Sequence, residues 1–290
     1  MRCLLPSCAL VGGLAPLAAV RGKAVGPVKP LHVVMFSGGL GSWRAAKIAA
    51  REHGTERMAL LFADTLMEDP GLYRFIHEAA ADIGAPLVTV TEGRTPWEVF
   101  RDVRFLGNSR VDPCSRVLKR EPLRKWLVEN TDPETCTVYL GIGWDEAHRF
   151  ENAPRNHAPW KVRAPLCEDV RIPLGREAAR AELAAAGIAM PALYEHGFSH
   201  NNCGGFCVKA GQASFKLLLD RKPDVYARHE AEEETLRQHL SKDVAVMRDR
   251  SGGEARPLTM REFRERIQGG AQLSMFDAYD YGACSCLGAA

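Results

Sequence analysis

Ser37-Gly38-Gly39-Leu40-Gly41-Ser42 is the stretch of this chain best suited to hold an anion. It follows the uncharged run Leu31 to Phe36 and precedes an alanine-rich segment, so it reads as the turn between a buried strand and a helix. Such a turn aims backbone N–H groups at a ligand, with the positive end of the helix dipole behind them. Gly38, Gly39 and Gly41 allow close approach and positive φ, and the Ser37 and Ser42 hydroxyls add donors. The lysine of G-x-x-x-x-G-K-[ST] and the third glycine of G-x-G-x-x-G are both absent, which excludes those two phosphate loops. A glycine turn without a ligand is the other reading of so short a motif.

A second chemistry lies in the thiols. The nine cysteines are an odd number, spaced more like ligands than like a disulfide framework. Cys203-Gly-Gly-Phe-Cys207 sets two thiols around glycines that let the backbone fold back on a metal or cluster, and Cys284-x-Cys286 closes the chain. Cys136 and Cys167 stand alone and read as core residues. Arg116, Arg120 and Arg124 recur at i, i+4 and i+8, one basic stripe of a helix, which serves either as a solvated face or as an anion site.

The loop resembles the S-G-G-x-x-S pyrophosphate loop, or PP-loop, of the adenine-nucleotide α-hydrolase-like enzymes, which include ATP pyrophosphatases and phosphoadenosine phosphosulfate (PAPS) reductases. Further segments are similar to the PAPS reductase-like branch. Phe62-Ala-Asp64-Thr65 followed by Asp69-Pro70 resembles its strand end and helix, which implies nucleotide contacts for Asp64 and Thr65. Cys114-Ser-Arg-Val-Leu-Lys119-Arg-Glu-Pro122-Leu123 resembles C-C-x-x-x-K-x-x-P-L, in which the cysteines hold a cluster and the lysine faces the anionic substrate. Ser115 replaces the second cysteine. Gly141-Ile-Gly143 through Arg149 looks like G-x-R-x-x-E-S-x-x-R, with glycine at 143 and the last arginine kept. Asn201-Asn-Cys203-Gly-Gly-Phe-Cys207-Val-Lys-Ala-Gly211 looks like phage- or mobile-element-type members.

The resemblance covers residues 31 to about 211. It implies ATP bound on residues 37–42 and cleaved at the α-phosphate, which adenylates an acceptor for sulfur transfer or a related modification. Lys119 and Arg149 stabilise charge in that scheme, and the acceptor is a nucleic acid or a small molecule. Gly41 stands where many PP-loop ATPases carry an acidic residue, so the resemblance leaves open how magnesium is handled. Cys114, Cys203, Cys207 and the tail thiol Cys286 make up the four ligands of a [4Fe–4S] cluster. Zinc on Cys203, Cys207 and the tail thiols or His200 is the second reading, and reduced buried thiols are the third. As alternatives to adenylation, Cys284 or Cys286 of an adenylyl-sulfate or phosphoadenylyl-sulfate reductase attacks sulfur with a thiol donor protein as partner, or the chain is a nucleotide- or nucleic-acid-binding module without turnover.

These residues need a scaffold that brings strand ends together. Apolar runs at 58–63, 86–90 and 137–141 alternate with helices at about 42–53, 70–83 and 114–129, and Thr95-Pro96 opens a short helix between them. That alternation predicts an α/β fold, a doubly wound parallel sheet covered on both faces. Arg171 to Leu174 is read as a last short strand and 176–186 as a helix. From about 191 the chain is read as a helical, cysteine-bearing part, with helices at 208–220 and 223–240, then irregular polar chain at 241–273 around one helix near 259–267. The domain reading is a disordered leader at 1–30, a nucleotide-binding domain at 31–190 and the C-terminal part at 191–290.

Composition fits a soluble protein: 290 residues, 46% hydrophobic, 26% charged and a net charge of +2, so any basic surface has to be local. Only the leader approaches the ~18–20 apolar residues of a membrane span. Its basic start and apolar stretch resemble a weak signal peptide. The odd cysteine count and the need for ATP assign the chain to the cytoplasm instead.

Overall fold

The computed structural model describes residues 29–108, 110–251 and 254–281. The leader before Lys29 and the tail thiols Cys284 and Cys286 lie outside the described residues. The sheet is built from β1 (His32–Met35), β2 (Met58–Asp64), β3 (Leu87–Thr91), β4 (Thr137–Tyr139) and β5 (Lys161–Arg163), all parallel, in the order β3-β2-β1-β4-β5. Six of the seven residues of β2, MALLFAD, are buried, because helices cover both faces of the sheet. The fold is α/β, Rossmann-like, with a helical C-terminal part.

Helices α1 (Leu40–His53) and α2 (Pro70–Ile83) flank β2 in sequence, and α3 (Pro96–Asp102) follows β3. The cap signals explain two of the starts. Asp69 accepts from Gly71 N at 2.7 Å with Pro70 in the first turn, and Thr95 and Glu98 form a complete capping box. Asp112 does not act that way: no side-chain cap bond forms, and its carboxylate takes Arg120 and Lys209 instead.

The expected helix at 114–129 is a helical run of three parts, α4 (Pro113–Ser115), a π turn at Arg116–Arg120, and α5 (Glu121–Asn130). Pro122 has no N–H to give to the preceding turn, and the wider turn just before it absorbs that loss. The Arg116–Glu121 ion pair, five residues apart at 3.0 Å, follows the π geometry.

Three further differences separate sequence from structure. The fifth strand is β5, not Arg171–Leu174, which lies in turn and irregular chain. Between β4 and the tail the chain adds three short helices that were not expected, α6 (Ala153–His157), α7 (Pro165–Glu168) and α9 (Ala192–Glu195), to the expected α8 (Arg176–Ala185), α10 (Gln212–Arg221) and α11 (Pro223–Leu240). The stretch read as irregular holds an antiparallel pair, β6 (Met247–Asp249) with β7 (Arg256–Leu258), ahead of α12 (Met260–Gln268) and α13 (Met275–Tyr279).

Apolar packing divides into two sheet faces and a helical core. One face buries Trp43, Phe62, Phe75 and Ile76. The other buries Met35, Leu61, Leu123, Leu127 and Trp160, together with Cys136. The helical core joins Trp97 and Phe100 of α3 to Phe206, Phe215, Leu236 and Phe263. Each such side chain contributes about 1.5–3 kcal/mol on leaving water. The strand order reverses direction between β1 and β4, so the crevice beyond their carboxyl ends is the expected ligand position.

Candidate functional site

The segment 37–42 sits at that crevice, between the end of β1 and the start of the 14-residue helix α1. Only Gly38 of its three glycines has positive φ, at 75°. Gly41 serves a different need: a Cβ there would stand 2.4 Å from Gly141 O, so glycine is what lets the end of β4 abut the loop. The same contact leaves no room for an acidic side chain at 41. The loop is held from inside and behind. Ser42 Oγ donates to Gly39 O at 2.9 Å, Tyr194 OH accepts from Leu40 N at 3.4 Å, and Asn201 Nδ2 donates to Gly38 O at 3.0 Å.

In front the loop is open. Ser37, Gly39, Gly41 and Ser42 form one wall of a cavity of about 740 Å³, with Arg149 on the same lining. A cleft of about 60 Å³ between Met35, Ser37, Ser42 and Arg149 deepens it toward the sheet. Arg149 Nη1 donates to Glu146 Oε2 at 2.7 Å, while its Nε is buried without a hydrogen-bond partner. Asn201 Oδ1 is likewise buried and unpartnered. Arg149 Nε, a donor left without a partner beside an open loop, is what an anionic ligand would satisfy, whereas Asn201 Oδ1 is an acceptor and calls for a donor.

Asp64 and Thr65 are turned to other tasks. Asp64 Oδ1 accepts from Leu66 N at 2.8 Å and from Tyr73 OH at 2.7 Å, fixing the turn after β2. Burial, with the Asp64 bond second, raises the Tyr73 phenol well above its usual range. Thr65 Oγ1 donates to Glu68 Oε1 at 2.9 Å, and neither Asp64 nor Thr65 lines the two loop cavities.

Thr65 instead borders a tight cavity of about 20 Å³ shared with Cys114, Ser115, Lys119, Cys203 and Cys207. The structure thus brings the three described cysteines of the expected ligand set and Lys119 to one place. Lys119 is buried, its Nζ 3.5 Å from Glu68 Oε1 and 3.7 Å from Cys203 Sγ. The Glu68 carboxylate also takes the N–H of Cys203. Cys203 has φ 53°, a left-handed conformation costly for a residue with a Cβ, and Gly204 and Gly205 continue it at 60° and 91°. At Gly204 a Cβ would stand 2.9 Å from Met67 O. The segment 201–207 therefore joins the loop, through Asn201, to the thiol cavity.

Among the described residues no three His, Cys, Asp or Glu side chains are arranged to hold a metal ion. Those residues do not by themselves make a site for a cluster or for zinc, and the fourth ligand expected, Cys286, is outside them. His200, the alternative zinc ligand, lines the loop cavity and not the thiol cavity. Cys136 is fully buried, and burial pushes its thiol up to about 11. Cys167 Sγ donates to Ile142 O at 3.2 Å, so both lone cysteines are packing residues, as expected.

Sequence reasoning missed Glu68, Tyr194 and Asn201. Glu68 gave no motif; its importance is burial next to Lys119. Tyr194 and Asn201 act on the loop from more than 150 residues away. The asparagine lies within the cysteine segment already singled out, where only the thiols attract notice.

No family model matches the chain, and no curated protein sequence matches it. Among solved structures the chain is similar to a phosphoadenylyl-sulfate (PAPS) reductase from Candida auris in its phosphate complex. The TM-score is 0.41 at 17% identity, over 59% of this chain and 79% of that one.

Proposed function

We infer that the chain is a PP-loop enzyme, like PAPS reductases in its motifs, that binds ATP on residues 37–42 and adenylates an acceptor. The observation that carries this reading is the open loop wall of Ser37, Gly39, Gly41 and Ser42, with the unpartnered Arg149 Nε beside it. Helix α1 adds the positive end of its dipole at the same point. An acceptor oxygen bonds to the α-phosphorus, and pyrophosphate leaves with the electrons of the broken P–O bond. Loop amides and Arg149 hold the charge that gathers on the phosphoryl oxygens. Magnesium travels with the ATP phosphates, and Asp145 and Glu146 on the cavity lining are the carboxylates available to it.

A sulfur nucleophile from a donor then bonds to the activated carbon, and AMP leaves. Cys203 is the thiol placed for that stage, its Sγ 3.7 Å from Lys119 Nζ. The assignment of Lys119 thus moves from the phosphates to the thiol. The test is ATP titration with magnesium into wild type and Ser37→Ala. Micromolar binding weakened at least about 10-fold by the substitution, the ~1.4 kcal/mol of one lost hydrogen bond to a charged group, supports the reading. No binding, or a substitution without effect, refutes it.

A further inference from the structure

We propose that a basic groove running away from the phosphate loop holds a single strand of nucleic acid, which makes a nucleic acid the acceptor of the reaction. The proposal rests on the reading above for its chemistry but not for its geometry. A cavity of about 790 Å³ lies between α5 and α6, lined by Arg110, Arg116, Arg120, Arg124 and Lys209. A second, of about 800 Å³, reaches past the β6–β7 pair and is lined by Arg104, Lys242, Arg248 and Arg250. Arg110 and Lys209 line both, so the two cavities run together. Nine cationic side chains face two carboxylates, Asp112 and Asp280, on a chain whose net charge is only +2. The positive charge is therefore concentrated in this groove, and a polyanion is the ligand it suits.

Three observations favour a nucleic acid strand over other polyanions. The floor is apolar, made of Met35, Leu123, Leu127 and Trp160, so the groove offers bases a surface below and phosphates an arginine rim above. An acidic peptide has no use for such a floor, and a flat lipid surface does not enter a cleft. The groove also ends at the right place: Met35 belongs both to its floor and to the small cleft over Ser37 and Ser42. A base at that end reaches the loop while the strand lies along the arginines. The rim is held ready at modest cost. Arg124 lies 5.6 Å over the Trp160 ring and donates to Ala158 O, while the Arg116–Glu121 pair is exposed and weak.

The experiment is fluorescence anisotropy on the full chain, with a labelled mixed-sequence single strand of about 20 nucleotides as RNA and as DNA, and poly-glutamate as competitor. If about five phosphates are held, log K falls with log salt at a slope of about −3.5, roughly 100-fold between about 50 and 200 mM. The double variant Arg116→Gln/Arg124→Gln should bind at least about 10-fold more weakly and flatten the slope by about 1.4. A control, Arg51→Gln/Arg221→Gln, removes two exposed arginines elsewhere and should leave binding unchanged. Binding of either strand with this pattern supports the proposal, and the tighter of the two identifies RNA or DNA. No salt-dependent binding, equal loss in the control, or displacement by poly-glutamate at matched charge overturns it. ATP titration of the same samples separates the two readings, because strand binding lost with ATP binding kept rejects only the groove.

Discussion

Arg149→Met is the substitution that best separates binding from scaffolding. The guanidinium lines both cavities on the phosphate loop, its side chain is 21% exposed, and its Nε has no partner. Among the described residues its one ion pair is to Glu146, whose side chain is 47% exposed, and exposed pairs of this kind contribute under ~1 kcal/mol. A hydrogen bond to a charged phosphate is stronger, about 1.5–3 kcal/mol, which is roughly 10- to 150-fold in affinity. The expected result is therefore a large loss of ATP affinity with a nearly unchanged melting curve. Arg149→Lys keeps the charge but not the planar fork and should fall between. Calorimetric titration with ATP and magnesium, with circular-dichroism melts on the same samples, reads both quantities. An Arg149→Met protein that binds ATP within about twofold of wild type would refute the reasoning, since one lost charged bond costs more than that.

Three other outcomes follow from the geometry. Gly41→Ala puts a methyl 2.4 Å from Gly141 O and should cost about 1–3 kcal/mol in urea unfolding, together with ATP binding; unchanged stability means the loop and β4 do not abut. Lys119→Met removes the ammonium beside the Glu68 carboxylate, whose side chain is 1% exposed and which keeps its bonds from Thr65 and Cys203, and should cost about 1–3 kcal/mol; adding Glu68→Gln should recover part of it, and no recovery contradicts the pairing. The third concerns pH. Burial pushes Glu233 up to about 7 against the N–H groups of Val246 and Met260, and burial takes His229, which accepts from Trp97 Nε1, down to about 3. The Glu233 contribution is full below about 4.5 and lost as pH rises through 7, whereas that of His229 is lost as pH falls below 6.5. The two oppose each other between pH 6.5 and 4.5, so Glu233→Gln should lose stability more steeply than wild type on acidification. Parallel curves by urea titration at several pH values would contradict the Glu233 assignment.

The sequence carried β1 to β4 because each lies within an apolar run with helices between, the short β4 inside the run at 137–141, and β2 is buried almost throughout. It did not carry β5 or the β6–β7 pair. These strands are three residues each, LysValArg, MetArgAsp and ArgProLeu, too short and too polar for a periodic pattern to form. The cap signals at Asp69 and Thr95 were legible because capping is local. The same signal at Asp112 misled because two cations from distant segments claim its carboxylate.

The site divided along similar lines. The loop and the convergence of Cys114, Cys203, Cys207 and Lys119 were readable from motif and order. The division into two cavities was not, since it follows from burial. Thr65 and Lys119 went to the thiols, and Arg149 went to the loop. Gly41 lines the loop cavity and is also a packing residue, a second role visible only once Gly141 lies against it.

The central claim is that the bend after β1 grips phosphates, and comparing ATP with adenosine measures it most directly. Titrated under the same conditions, ATP should bind at least about 100-fold more tightly than adenosine, the ~2.7 kcal/mol expected of two charged hydrogen bonds. Ser37→Ala and Arg149→Met should narrow that gap while leaving adenosine unaffected. Equal affinities for the two ligands, or a gap that neither substitution narrows, would contradict the account.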